Sequence, residues 1–422
     1  MTALADMRGS APARTHGTTA AASGRSRVAG VDVARGVALF GMMATHVLAP
    51  FDEGSATTTT VIAGGRSAGT FALLAGVSIA FMSGGRQVVQ DRARVAASAG
   101  LAVRALMIGA IGLLLAIADT DIDVILPAYA LAFLLAIPLL GLRPRALAWL
   151  SAALLAVGPV LLVALARAGL TYSDDNPTFA QAVDDPLGLL LRLLVTGEYP
   201  VVLYLGLVCA GLAVGRLDLR SRLLAAWLVA GGIALAVTSR LASLALLYPL
   251  GGLDRLVIEG GSEVERASRA TTLLWASEQG SSWWYLALSG PHAHTSLDMA
   301  HVLGSAMVVV GACLLLTRLP AVRRLLWPLQ AAGAMTLTLY SAHILVLETE
   351  VLEPGPLEDS LPAQFLLLVV ASLAFAVLWR RWQDQGPLER VVAEAANRTR
   401  RAVLVRPAPA SETARERRTA DH

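Results

Sequence analysis

The sequence predicts an all-α fold, a polytopic integral membrane helix bundle with about ten transmembrane helices and both termini cytoplasmic. Three observations predict it. Hydrophobic residues make up 55% of the 422 and charged residues only 15%, and the mean hydropathy of +0.62 is too high for a soluble domain of this size. Ten long apolar stretches recur along the chain, several of them below the roughly 20 residues a bilayer crossing requires, so that their ends must extend into the loops. The short segments between them alternate between Arg-rich and acid-rich, which gives an orientation as well as a class.

Residues 1–27 are rich in Ala, Gly, Ser, Thr and Arg without apolar periodicity, and are expected to form a disordered cytoplasmic tail. The apolar run that follows is longer than a signal-peptide core of about 7–15 residues, and no A-x-A-like site comes after it. The expected spans are 31–48, 68–82, 97–118, 124–142, 146–166, 199–214, 223–239, 297–316, 325–347 and 363–379. Arg25 and Arg27, then Arg86, Arg92 and Arg94, Arg143 and Arg145, Arg216, Arg220 and Arg222, Arg318, Arg323 and Arg324, and Arg380 and Arg381 fall on every second connection. The positive-inside rule assigns those connections to the cytoplasm. The opposite connections carry Asp52 and Glu53, Asp119, Asp121 and Asp123, Asp174, Asp175, Asp184 and Asp185, the 254–278 loop, and Glu348, Glu350, Glu353, Glu358 and Asp359. Two outer loops are long. One holds a Leu-rich piece at 187–195 that suits the membrane interface, and the other carries Trp283, Trp284 and Tyr285, read as belt anchors or as a ligand platform. Residues 28–386 are expected to form the membrane domain and 387–422 a mostly disordered cytoplasmic tail that opens with a short helix.

A net charge of +3 would suit nucleic acid, but the Arg residues are spread over short loops rather than gathered on one patch, so no nucleic-acid partner is expected. Cys209 and Cys313 lie in apolar stretches of different helices and read as small core residues. His292-x-His294 lacks a third ligand at a defined spacing, so no metal is expected. The sequence has no GxxxxGK[ST], GxSxG, HExxH or CxxC element. A homodimer is admitted, no oligomeric state being written in the sequence.

Ionisable groups inside a span are costly and therefore informative. On the first helix Asp32, Arg35, Leu39, Met42 and His46 fall on one narrow arc at 100° per residue, so three polar groups share a face that must look into the bundle. At 1.5 Å per residue Asp32 and His46 stand roughly 21 Å apart, the ion pair at the cytoplasmic mouth and the imidazole near the outer side. Such a stripe lines a route through the membrane, or else Asp32 and Arg35 form an i,i+3 pair that fixes the helix start while His46 bonds a neighbouring carbonyl. The ninth span repeats the pattern with Thr336, Tyr340, His343 and Leu347 at i, i+4, i+7, i+11. On the eighth, Asp298 and His301 sit one turn apart, spaced for a carboxylate to orient a general base, or for an Asp or Ser296 to cap the helix. Arg104 lies within or at the edge of the third span and, with Arg86, Arg92 and Arg94, offers a cationic cluster for phosphates, although positive-inside placement alone accounts for Arg86, Arg92 and Arg94.

The segment Arg27-Val-Ala-Gly-Val-Asp32-Val-Ala-Arg35-Gly36 with His46 beyond it resembles the R-x-x-x-L-D-x-x-R-G-x-A opening of a superfamily of multispanning acyltransferases. That superfamily includes the heparan-alpha-glucosaminide N-acetyltransferase-like proteins and integral-membrane O-acyltransferases. Phe71-Ala-Leu-Leu-Ala-Gly76-Val-Ser78 resembles their second helix. Gly333-Ala-Met-Thr336-Leu-Thr-Leu-Tyr340-Ser-Ala-His343 and Gln385-Gly386-Pro387-Leu388-Glu389, within 325–396, resemble the C-terminal part of the YeiB-like bacterial membrane proteins. The resemblance implies acetyl-CoA or another acyl-CoA as donor at the cytoplasmic face and a glycan or lipid acceptor at the outer face of the plasma membrane. It implies His46, Asp32 and Arg35 as catalytic candidates. Arg92, Arg94 and Arg104 become the donor-binding candidates, and Arg66, Asp298, His301, Tyr340 and His343 the acceptor-binding ones. The chain departs from the N-acetyltransferase branch in lacking an H-A-S-W-N element after the first helix, where it reads Gly64-Gly65-Arg66-Ser67, so glucosaminide N-acetylation is not carried over. Intramembrane Asp, Arg and His equally suit a proton-coupled transporter or lipid exporter, against which the lack of an inverted repeat speaks. A non-catalytic scaffold with long outer loops is the third reading.

Overall fold

The computed structural model describes residues 28–117, 122–170, 172–173, 175–257, 263–275, 282–349 and 360–405. The expected tail over 1–27, the acidic residues Asp119, Asp121, Asp174, Glu350, Glu353, Glu358 and Asp359, and the tail beyond 405 lie outside the described residues.

Nearly every described element is a helix. α1 (Ala29–Val47) leads through a two-residue hairpin to α2 (Thr58–Ala63) and α3 (Arg66–Met82), followed by α4 (Asp91–Leu115), α5 (Leu126–Ala136) and α6 (Pro144–Arg167). Two short helices, α7 (Phe179–Asp184) and α8 (Pro186–Leu191), precede α9 (Val201–Gly215) and α10 (Arg222–Leu247). After α11 (Gly252–Val257), α12 (Glu263–Trp275) and a 3-10 turn at Trp283–Ala287 come α13 (Ser296–Leu316), α14 (Pro320–Leu325), α15 (Trp327–Gly333), α16 (Thr336–Glu348), α17 (Leu361–Trp379) and α18 (Pro387–Val405).

Among the described residues six helices are long and apolar enough to cross a membrane, and eight if each of two bent pairs is one span. The first pair is α8 with its π turn running at 60° into α9, so the Leu-rich 187–195 piece is continuous with a core helix. The second is α15 and α16, bent by 82°, where a straight span over 325–347 was expected. α1 and α5 are apolar but fall short of that test. α5 ends at Ala136 in place of the expected 142, because Pro138 restricts Ile137 and cannot donate to a continuing helix, leaving one 3-10 turn over Pro138–Gly141.

α1 is the central strut, packed against α3, α13, α15, α16 and α17. Its approach to α15 is so close that a Cβ on Gly333 would lie 1.7 Å from the Asp32 carbonyl, so only Gly permits the crossing. α3 crosses α9 in the same way at Gly76 and Gly211, where an added Cβ at Gly211 would stand 1.8 Å from the Leu73 carbonyl. The two ends of the bundle are distinct. At one, Arg216 donates to the carbonyls of Gly85 (3.0 Å) and Leu140 (2.6 Å), and Arg318 to that of Arg220 (2.5 Å), tying the Arg-bearing connections together. At the other, Asn176 bridges Ile122 and Val124 at 2.8 and 2.7 Å, joining the acidic connections.

The C-terminal tail was expected to begin with a short helix. Instead α18 runs for 19 residues, packs along α4 and buries Val392. Glu389 explains why it docks: Oε1 accepts from the N–H groups of Leu337 (2.6 Å) and Thr338 (3.2 Å), and Oε2 accepts from the Thr338 hydroxyl (2.6 Å). The bend before α16 leaves these first-turn donors without intrahelical partners, and the carboxylate caps them.

Candidate functional site

The polar face of α1 lines a cavity of about 440 Å³ that extends along the helix from Val28 to Met42, a rise of about 21 Å. The volume is that of an ordinary small-molecule pocket. Asp32, Arg35, Arg104 and Glu389 bring charge to its wall, and Tyr129 and Tyr340 lie among its lining residues. Asp32 and Arg35 form their i,i+3 pair at 2.8 Å, and the second Arg35 nitrogen donates to Ser78 of α3 at 2.6 Å. Arg35 is thus a fixed part of the wall. Arg104 differs: no hydrogen bond or ion pair holds its guanidinium among the described residues, while Arg35 and Glu389 act on it electrostatically.

One turn beyond Met42, His46 is half-buried, and its Nδ1 stands 2.9 Å from Nε2 of His343 on α16. The rings are stacked with centroids 5.2 Å apart. A hydrogen bond between two imidazoles requires one donor and one acceptor, so at least one ring is neutral. Nδ1 of the buried His343 makes no hydrogen bond among the described residues, so the shared proton can sit on either ring. With that proton on His46, Nδ1 donates to His343 and Nε2 keeps a lone pair, the form of a general base oriented by a second group. Tyr340 packs edge-on against His343 at 5.2 Å, so the buried ring connects the pair to the cavity.

A second cluster gathers at the acid-bearing end. Glu198, in the bend before α9, lies 2.8 Å from Nδ1 of His292 and accepts a hydrogen bond from Tyr172. His292 and His294 hold φ of 56° and 54°, a left-handed conformation that costs a non-glycine residue on the order of 1–3 kcal/mol and persists only where surroundings enforce it. Burial pulls His292 down, but Glu198, with Asp298 and Asp123 adding, more than offsets it and holds the imidazole above the ordinary histidine range. His294, deeper, is pushed down to about 4 by burial, Glu198 opposing and His292 adding. The His294 N–H donates to Asp298 at 3.1 Å. Arg66 acts electrostatically on Asp298 while donating to the Gly64 carbonyl at 2.7 Å.

The catalytic model of heparan-alpha-glucosaminide N-acetyltransferase matches residues 27–248, more than half of the 422. The chain belongs to that family. A second model, of a protein of unknown function (DUF418), matches residues 267–399. No curated protein matches the chain. Membership in this acetyltransferase family makes the chain a membrane protein of transferase lineage, and the two matched segments divide the site between them. Asp32, Arg35, His46, Arg104 and Glu198 come from the first, and His292, Asp298, Tyr340, His343 and Glu389 from the second. The Gly64-Gly65 turn is the surface on which His292 rests: a Cβ on Gly65 would lie 3.2 Å from the His292 nitrogen.

Other expected site residues go elsewhere. Arg92 donates to the Val403 carbonyl of α18 at 2.9 Å and Arg94 to that of Pro138 at 3.3 Å, and neither lines the cavity. Asp298 does not orient His301. Thr295 caps α13 through the Asp298 N–H at 3.0 Å, which turns the carboxylate back to His294, and His301 Nδ1 donates to Ala236 of α10 at 3.0 Å. Trp283 and Trp284 carry the guanidinium groups of Arg167 and Arg255 on their faces. Glu198, Tyr172 and the buried Tyr204 escaped the sequence reading, although a carboxylate flush against an apolar run at 199–214 was a usable signal.

Proposed function

We propose that this family member is an integral membrane acyltransferase of the plasma membrane, moving an acyl group, an acetyl group foremost, from cytoplasmic acyl-CoA to a hydroxyl or amine of a glycan or lipid at the outer face. In this reading α1, α5, the six long spans and the two bent pairs make ten crossings, the Arg-bearing end is cytoplasmic, and both termini are inside. The observation that carries the proposal is the cavity along α1, which starts beside Asp32 and Arg35 and stops one turn short of the His46–His343 pair.

Arg104, the cavity-facing guanidinium with no hydrogen bond or ion pair among the described residues, meets a phosphate of the donor, while Asp32, Arg35 and Ser78 hold the wall in shape. Arg92 and Arg94 reinforce the positive field at the mouth. His46 Nε2 takes the acceptor proton as the acceptor oxygen or nitrogen bonds the thioester carbonyl carbon. The C–S bond breaks, and the thiolate recovers that proton from the His46 imidazolium. Arg66 and Asp298 shape the acceptor side, and His301 fixes α13 against α10.

The test is transfer of labelled acetyl from acetyl-CoA into glycan or lipid by membranes containing the protein. Label should appear with the wild type and vanish with His46→Ala. No label from the wild type, or full transfer by His46→Ala, overturns the reading.

A further inference from the structure

Two imidazoles at the acid-bearing end share one construction. Each is partly open, and each is backed by a buried partner: His46 by His343, and His292, with 22% of its side chain exposed, by Glu198 with 9%. They also flank the same corner. α1 packs on the α2–α3 corner at Gly41, where a Cβ would stand 2.4 Å from the Ser67 hydroxyl, and the 291–292 backbone rests on Gly64 and Gly65 of that corner.

A buried carboxylate is costly unless it is paired. Glu198 is paired twice, by Tyr172 and by His292, and both come from other segments of the chain. Its effect on His292 is directional. With Oε1 2.8 Å from Nδ1 the carboxylate favours the protonated imidazole, whose Nε2–H is a donor on the open edge. The left-handed backbone at His292 is the strain that this orientation requires.

The surrounding field is one-sided. Glu198, Asp298 and Asp123 act on His292, and the guanidinium of Arg66, acting on Asp298, is tied to the Gly64 carbonyl. Three carboxylates against two cations, Arg66 and the protonated His292, leave a net negative field that disfavours an anion.

We propose that His292, held by Glu198 and Tyr172, is the acceptor-binding group of this site. It donates a hydrogen bond to a second hydroxyl of a neutral polyhydroxylated acceptor whose reacting hydroxyl faces His46, and the surrounding carboxylates exclude carboxylated or phosphorylated acceptors. The assignment rests on the acyltransferase reading for the role of His46, but it makes a binding claim of its own.

The experiment uses the full chain in nanodiscs, free of glycosidic detergent, with a radiolabelled alkyl glucoside and the alkyl glucuronide of equal chain length as probes. The wild type is expected to bind the glucoside at least tenfold more tightly than the glucuronide. Glu198→Gln, and His292→Asn, a residue that tolerates the left-handed backbone, should each weaken glucoside binding at least tenfold. Glu198→Gln should also narrow the gap between the probes. With acetyl-CoA added, Glu198→Gln should raise the KM for glucoside more than it lowers kcat. Tyr172→Phe, which keeps the carboxylate, should show the same effects in smaller degree and decides the matter if the stronger variants do not fold. Equal binding of the two probes, no binding of the glucoside, or unchanged affinity in the variants overturns the proposal. Glucoside binding without acetyl transfer overturns the acyltransferase reading and leaves the binding group standing. Transfer at unchanged KM in the variants overturns the binding group alone.

Discussion

His46 Nδ1 and His343 Nε2 stand 2.9 Å apart although 297 positions separate them in the chain, so one hydrogen bond joins the two family-matched segments at the end of the cavity. If the pair works as a unit, its members cannot contribute independently. His46→Ala is expected to lower acyl transfer by about 10²–10⁴-fold, the range for removal of a general base. His343→Ala should cost somewhat less, and the double variant no more than His46→Ala alone. Initial rates with labelled acetyl-CoA check this, and multiplicative losses would show that the rings act separately.

Arg104 and its neighbours Arg92 and Arg94 give a second contrast. Arg104→Ala should raise the KM for acyl-CoA by about 10–100-fold, the loss of one charge-assisted phosphate contact. Arg92→Ala and Arg94→Ala should change it less than about threefold, since both groups are engaged by backbone carbonyls and act only through a screened field. Donor titration at saturating acceptor separates the cases. An unchanged KM in Arg104→Ala removes the donor from that cavity.

The membrane class and the polar face of α1 were legible in the sequence because both follow from local rules, the cost of charge in lipid and the 3.6-residue period. Partners were not. Whether His46 meets His343 depends on the height of α16, set by the Gly333 crossing and the 82° bend, and neither is written in periodicity. His292 reads as a loop residue, yet the Gly64-Gly65 corner leaves a space that draws it inside. Asp298 and His301 show the reverse error, since one-turn spacing suggested a pair that the Thr295 cap prevents. The Gln385–Glu389 motif was visible as a resemblance, but its physical role, capping a broken helix, needed the bend to be seen.

That cap yields a third prediction. Glu389→Ala leaves the N–H groups of Leu337 and Thr338 without an acceptor and should cost about 1–2 kcal/mol. Glu389→Gln, which keeps one carbonyl oxygen, should cost less. Because the bend lines the cavity, donor affinity should fall in step with stability across the two variants. Scanning fluorimetry with and without acyl-CoA measures both, and a Glu389→Ala protein as stable as the wild type would place the capping of α16 elsewhere.

The buried histidines set a pH dependence of stability with two limbs of opposite sign. His294, at about 4 in the fold against an ordinary 6.5, binds its proton more readily when unfolded. It therefore removes stability as pH falls from 6.5 towards 4, by up to about 3 kcal/mol. His292 is raised, so its contribution is full below the ordinary histidine pKa and is lost as pH climbs through the raised value. Thermal stability should pass through a maximum near pH 6.5. His294→Asn, chosen because Asn accepts the left-handed backbone, should flatten the acid limb and leave the alkaline limb in place, whereas Glu198→Gln should flatten the alkaline limb. Melting midpoints from pH 4 to 8.5 decide it: an acid limb of unchanged depth in His294→Asn would trace that limb to other groups.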